Sequence, residues 1–386
     1  MLAVTNAEVH PAAEAVIHDG TILIEDGEIR AVGSGVQVPP GAEVIDAGGC
    51  PVTPGLVEPH AHVGMISAGF GFGDSDVNET TDPVTSHVRA IDGLNPQDEG
   101  FSDFALGGIT TALVLPGSAN VLGGTGVIIK TRRAKVVDDL VLRENGGMKA
   151  ALGENPKNAH GKQNERAPKT RMGSAAIMRE WLRRAAEYAD NRADDGDDAK
   201  YDARLEALIP VVRGRIPLRI HAHRADDIVT ATRIAGEFDL DYTIEHTTQG
   251  KKIAGLLARE GVSCAVGPCM SSESKVELEG VGYDTPAALE GAGARYCLTT
   301  DHPVVRGLYL HMLAGVLSAH GVPADAALRS VTLSAAEHIG LGDRLGSLEV
   351  GKDADVVIWN GDPLDGRSRP KAVIIEGEVT YEAPDL

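Results

Sequence analysis

Aromatic residues are scarce, at 4% of a 386-residue chain. The core must therefore be filled with Ala, Val, Ile and Leu, which suits the aliphatic packing of a buried parallel sheet. Cysteine is scarce as well. Cys50, Cys264, Cys269 and Cys297 lie far apart with no Cys-x-x-Cys pair, which argues against a zinc ribbon or a dense disulfide framework. No apolar run approaches the roughly 20 residues that span a bilayer. The N-terminus lacks a charged segment leading into an apolar one, so no leader is expected. Positive charge is in deficit, with 36 Lys plus Arg against 56 Asp plus Glu and a net charge of −20. Such a field repels phosphate backbones and anionic lipid surfaces. Neither nucleic acid nor membrane is expected as a partner. The expected setting is the reducing cytoplasm, with a small-molecule or peptide substrate and homo-oligomers compatible with the composition.

What is abundant is glycine, 46 residues, as in a chain with many turns between short elements. The first 50 residues carry alternating runs such as Thr21 to Glu25 and Glu28 to Val32, separated by Asp26-Gly27, a hairpin signal. The last 40 repeat the pattern in Asp355 to Trp359 and Ala372 to Glu376. Both ends therefore read as antiparallel β. Between them short apolar strands alternate with helical stretches, the signature of a parallel sheet wrapped by helices. Eight candidate strands follow: Gly55 to Val63, Thr110 to Leu115, Val127 to Lys130, Lys149 to Leu152, Leu218 to His221, Tyr242 to Glu245, Ser263 to Val266 and Tyr296 to Thr299. The expected fold is α/β, a (β/α)8 TIM barrel over residues 53–344. A small β-sandwich domain is expected from residues 1–52 and 345–386. Ala175 to Tyr188 reads as helix and Ala189 to Asp202 as a solvated acidic loop. The glycine-rich pieces Gly69 to Gly73 and Gly123 to Gly126 lack the Lys-Ser/Thr of a phosphate-binding loop.

The chemistry concentrates at strand ends. Pro54-Gly55-Leu56-Val57-Glu58-Pro59-His60-Ala61-His62 is an apolar run ending in His-x-His. Residues two apart on a strand share a face, so both imidazoles can converge on one ion. Ile220-His221-Ala222-His223, Ile244-Glu245-His246 and Thr299-Thr300-Asp301-His302 end three further strands. Barrel enzymes keep their active sites at that end. Imidazole and carboxylate without thiolate suit Zn, Mn, Co or Fe, so one or two divalent ions are expected, zinc first. His223 shares a face with His221 and reads as a ligand, an oxyanion donor or a residue supporting a ligand.

These strand ends, with Gly346-Ser347-Leu348-Glu349-Val350-Gly351-Lys352-Asp353-Ala354-Asp355-Val356-Val357, resemble the amidohydrolase superfamily in its imidazolonepropionase-like and prolidase-like branch. The resemblance spans nearly the entire chain. It implies His60 and His62 on one metal, His221 and His246 on the other, and Asp301 beside a bridging water. It also implies a bridging carboxylated lysine or glutamate. Glu154, after the strand Met148 to Leu152, is the first candidate, with Lys149 and Lys130 as alternatives. A bound divalent ion lowers the pKa of its water towards 7. Asp301 would then take the proton and pass it to the departing nitrogen.

Substrate contacts are expected from Lys157 and Arg171, in a basic stretch with His160, Lys162, Arg166 and Lys169, from His87 and Arg89, and from His302. An Arg fork would suit a substrate carboxylate. The function expected first is hydrolysis of an amide, peptide or cyclic-amide bond. A deaminase of a nitrogen heterocycle and a noncatalytic binding barrel are the alternatives.

Overall fold

A computed structural model describes residues 1–67, 75–195 and 200–384; the glycine-rich piece Gly69 to Gly73 lies outside the described residues. The N-terminal segment forms β1 (Leu2–Val9), β2 (Ile17–Glu25), β3 (Glu28–Ser34), β4 (Glu43–Asp46) and β5 (Pro51–Pro54). The middle supplies β6 (Leu56–Ala61), β7 (Ile109–Val114), β8 (Leu122–Thr125), β9 (Val127–Lys130), β10 (Val141–Arg143), β11 (Met148–Ala151), β12 (Leu218–Ala222), β13 (Tyr242–His246), β14 (Ser263–Val266) and β15 (Tyr296–Leu298). The C-terminal segment adds β16 (Val356–Trp359), β17 (Pro370–Ile375) and β18 (Glu378–Glu382).

The two ends build one sheet in the order β18-β17-β16-β5-β1-β2-β3, with β4 also on β1. Asp26 and Gly27 both take left-handed φ, 53° and 78°, the backbone of the tight turn that matches strand twist and closes β2 onto β3. Glu376 and Gly377, at 49° and 78°, repeat the device before β18. The ends are not wholly antiparallel, because β4 and β5 run parallel to β1. Their apolar faces share a small core that includes Val4, Ile22, Val356 and Ile374.

The interior is mixed α/β. One sheet runs β10-β9-β7-β6 and another β15-β14-β13-β12-β11-β8. β6 is parallel to β7, and β11 through β15 are parallel to one another, with helices such as Ala225–Glu237 and Ala254–Glu260 between them. Of the eight expected strands, Val127–Lys130 differs, since β9 is antiparallel to both β7 and β10. The 12 residues between β7 and β9 hold β8 and no helix, so no helical crossover of the kind that joins parallel strands connects them. The acidic stretch also differs from expectation: its helix runs from Arg171 to Asp195, because that run holds good helix formers and no proline. Among the described residues no helix is long and apolar enough to cross a membrane.

Two devices join the terminal sheet to the inner strands. At Gly55 a Cβ would lie 2.1 Å from Thr110 Oγ1, so only glycine lets the chain pass from β5 into β6 there. Lys130, at the end of β9, is buried and donates to Asp353 Oδ2 at 2.9 Å and Asp355 Oδ2 at 2.8 Å. Burial disfavours its ammonium, but the two carboxylates outweigh burial and raise its pKa. The Gly351-Lys352-Asp353-Ala354-Asp355 motif is thus a structural tie. Lys130→Met should strand two buried carboxylates and cost about 3–5 kcal/mol. Urea unfolding measures this as a lower midpoint at unchanged slope; a shift worth under about 1 kcal/mol would contradict the tie.

Candidate metal centre

Along β6 and the residue after it, Glu58, His60 and His62 follow a two-residue period, and all three are buried. Along β12 and the residue after it, Arg219, His221 and His223 keep the same spacing. β13 breaks the rule. Glu245 and His246 are adjacent and would point to opposite faces of a regular strand. His246 takes a φ of 73°, and both side chains reach His60. Glu245 Oε2 lies 2.8 Å from His60 Nδ1, and the His246 ring lies 4.8 Å from the His60 ring. Asp301 enters the same space with a φ of 52°. Such backbone in residues other than glycine costs on the order of 1 kcal/mol each, and collects where geometry serves a function.

Two donor sets result. His60, His62 and Asp301 form one, and His221, His223 and His246 the other, each with its donor atoms within 4.8 Å of one another. Hydrogen bonding sets which nitrogens are free. His62 Nδ1 donates to the Leu115 carbonyl at 2.7 Å and His246 Nδ1 to the Gly267 carbonyl at 2.9 Å. His60 Nδ1 donates to Glu245. With Nδ1 so engaged, Nε2 is the ring nitrogen left to face the centre. His62 Nε2 faces Asp301 Oδ1 at 3.3 Å, and that oxygen is buried without an aligned hydrogen bond. His221 Nδ1 is likewise buried and unpartnered. Converging imidazole nitrogens and a carboxylate, with one buried oxygen and one buried nitrogen left unpartnered, are the donor chemistry of a divalent metal, so the residues present fit one.

Burial supplies the protonation state. It pushes the His60 pKa down to about 3, helped by the Lys149 ammonium, and those of His221 and His223 well below the usual value. Burial opposes the charge on Asp301, but His246 and His62 hold its carboxyl far below the usual range. Neutral imidazoles and an ionised carboxylate are the ligand forms. Above them opens a cavity of about 660 Å3, lined by His62, His221, His223, His246 and Asp301 at its floor. Asn78, Asn155, Asn158, Gln163 and Lys275 stand on its walls.

The amidohydrolase of Thermotoga maritima MSB8 superimposes on this fold with a TM-score of 0.95 and 37% identity, over 99% of this chain and 100% of that one. This chain belongs to the amidohydrolase family. The family model itself matches residues 216–380. The amidohydrolase tasK of Hapsidospora irregularis is 30% identical over 95% of this chain, which spans only 40% of that longer protein. The imidazolonepropionase of Polaromonas sp. (strain JS666 / ATCC BAA-500) is 25% identical over 94% of this chain and 89% of its own length. The paired donor sets of this amidohydrolase fit a metal-dependent hydrolase of C–N bonds.

Other expected site residues lie elsewhere. The side chain of Glu154 is in neither donor set; its backbone N–H donates to Glu277 Oε2 at 2.8 Å. Lys149 instead reaches the centre. Its Nζ is 3.0 Å from His60 Nε2, and its charge acts on His221 and His246 as well as on His60. Lys130 is engaged in the structural tie. Arg89 is exposed and paired with Asp92, Arg171 is paired with Asp227 at 2.9 Å, and His87 is exposed. His302 is buried against Phe104, its ring accepting from Gly307 N–H, and burial lowers its pKa to about 4. Neither these residues nor Lys157 line the cavity. Sequence reasoning missed Glu245, whose alternation with Thr243 on β13 was a usable signal, and Glu277 and Lys275, in a loop without periodicity.

Glu245 holds the His60 ring from the side away from the donor set, as a carboxylate behind a metal-binding histidine would. Glu245→Gln should weaken metal retention about 10–100-fold, measured by chelator competition; unchanged retention would show that the hydrogen bond does not position the ring.

Proposed function

We propose that this amidohydrolase hydrolyses an amide, peptide or cyclic-amide bond in a small or modified-peptide substrate, using two divalent ions, zinc first. The observation that carries the reading is the pairing of two buried donor sets under one cavity. His60, His62 and Asp301 would hold one ion and His221, His223 and His246 the other. Bound there, divalent ions supply hydroxide near neutral pH and polarise a carbonyl. Asp301 would take the proton of the attacking water at its carboxylate and pass it to the leaving nitrogen. The cavity wall is rich in side-chain amides, with Lys275 its one Lys or Arg among the described lining residues. That composition favours a substrate with peptide groups and one carboxylate.

Lys149 is our candidate for the bridge. A bare ammonium between two cation sites is repulsive, and an uptake of carbon dioxide turns it into an anion. The Nζ lone pair forms the N–C bond, one C=O electron pair moves onto oxygen, and the displaced proton leaves to solvent. Burial lowers the Lys149 pKa to about 8, against a smaller opposing pull from Asp301 and Glu245. The free base needed for this addition therefore predominates above about pH 8 and falls about tenfold per pH unit below it.

The fold enters the proposal too. Residues 53–344 are read as a (β/α)8 barrel and residues 1–52 with 345–386 as a small β-sandwich. The bond from His62 N–H to the His302 carbonyl, 2.8 Å, supports closure between the β6 and β15 ends. The separate core of the terminal sheet supports the second unit.

The test is metal content by elemental mass spectrometry alongside a screen of dipeptides, N-acyl amino acids and cyclic amides. Two ions per chain and hydrolysis of one class are expected, with Asp301→Asn slower by about 10²–10⁴-fold. No ion after reconstitution, or deamination of heterocycles in place of hydrolysis, would overturn the reading. Metal loading of apo-protein with bicarbonate should accelerate as pH rises towards 8. Intact mass should show one added carbon dioxide in the wild type and none in Lys149→Ala; a pH-independent loading rate with no mass increment would remove Lys149 from the bridge.

A further inference from the structure

Glu277 belongs to a short helical turn, Val276–Leu278, far in sequence from every strand-end ligand. Its side chain is fully buried. Oε1 lies 3.9 Å from His221 Nε2 and 3.8 Å from His223 Nε2. Tetrahedral nitrogen and oxygen donors on one zinc-sized ion stand roughly 3.4 Å apart, so these separations suit a shared cation.

The carboxylate is held for that purpose by the backbone. Oε2 accepts from Glu154 N–H at 2.8 Å. A Cβ at Gly153 would lie 2.6 Å from the same oxygen, and Gly153 has a φ of 84°. Glycine therefore leaves the space into which the carboxylate fits, and Oε1 is left directed at the histidines. That oxygen makes no aligned hydrogen bond. Its close neighbour is a charge, Lys275 Nζ at 2.6 Å, which also donates to Asn155 Oδ1 at 2.8 Å. A buried carboxylate facing two imidazole nitrogens, and neutralised from the solvent side by an ammonium, has the layout of a ligand whose counter-charge is exchangeable.

We infer that Glu277 is a further donor, beside the bridging group, to the ion held by His221, His223 and His246. Lys275, released when the ion takes over Glu277, then faces the cavity as the charge for a substrate carboxylate. This rests on the reading that those three histidines hold an ion. It also assigns the Leu152-Gly153-Glu154 turn its part: the turn presents a carboxylate from another loop.

The experiment is loading with zinc and with cobalt, comparing wild type with Glu277→Gln, Gly153→Ala and Lys275→Met. Zinc affinity is read by chelator competition, the cobalt site by its visible absorption, and folding by thermal melting. Glu277→Gln should weaken one of the two ions about 10–100-fold and change the cobalt spectrum. Gly153→Ala, displacing the carboxylate, should do the same in milder form, which keeps the test open if one variant folds poorly. Lys275→Met should tighten that ion by removing its competitor. If Glu277→Gln and Lys275→Met both leave affinity and spectrum unchanged, Glu277 serves only its ion pair and the inference fails alone. If the wild type itself binds no ion at the three histidines, the metal reading fails with it.

Discussion

Everything in the centre of this protein depends on desolvation. The strand ends carry imidazoles, carboxylates and a lysine into an interior built from aliphatic side chains, where isolated charge is costly. The same burial that makes the cluster expensive lowers the pKa of His60, His221 and His223 and so favours their neutral, metal-binding form. The imidazoles converge on Asp301, and a carboxylate oxygen and a ring nitrogen among them are buried without a partner. A divalent cation resolves that conflict with the least rearrangement, and for this reason the centre reads as a metal site and not as a packed polar core.

Around the donors lies a frame of buried hydrogen bonds. Glu245 joins His60 to His338 and is held well below the usual carboxylate range; burial opposes this, and the two rings outweigh it. Glu58, one alternation beneath His60, accepts from the hydroxyls of Thr299 and Thr300, both at 2.6 Å. Burial nevertheless pushes its pKa up to about 7. These contacts tie β6 to the end of β15 and to β13, so the donor side chains are fixed by groups drawn from strands far apart in sequence. The left-handed residues His246 and Asp301 belong to the same frame. Their strain is sustained because the surrounding bonds over-determine it.

The outer scaffold is held in a related way. Lys130 with Asp353 and Asp355, and the close passage at Gly55, fasten the terminal sheet to the inner strands. The C-terminal motif that helps mark the family resemblance therefore acts at a distance from the metal centre. Its resemblance value and its physical role are different things.

Local pattern determined a good deal. Alternation placed His60 beside His62 and His221 beside His223, because a two-residue period on a strand needs no knowledge of the rest of the chain. Apolar runs located the inner strands, and Asp26-Gly27 marked its hairpin. Tertiary structure decided what local pattern could not carry. The direction of β9 depends on its partners. Glu245 and His246 share a destination only because one backbone angle departs from the strand region. That Lys149 comes within 3.0 Å of His60 follows from which position of its strand points inward, and Glu277 is brought in from a loop more than 100 residues beyond the Gly153 turn that cradles it. The basic stretch around Lys157 and Arg171 was readable as charge, but its partners, such as Asp227, come from other elements. Sequence carries the chemistry of each donor; only the fold sets which donors meet, because meeting depends on long-range packing that no local period records.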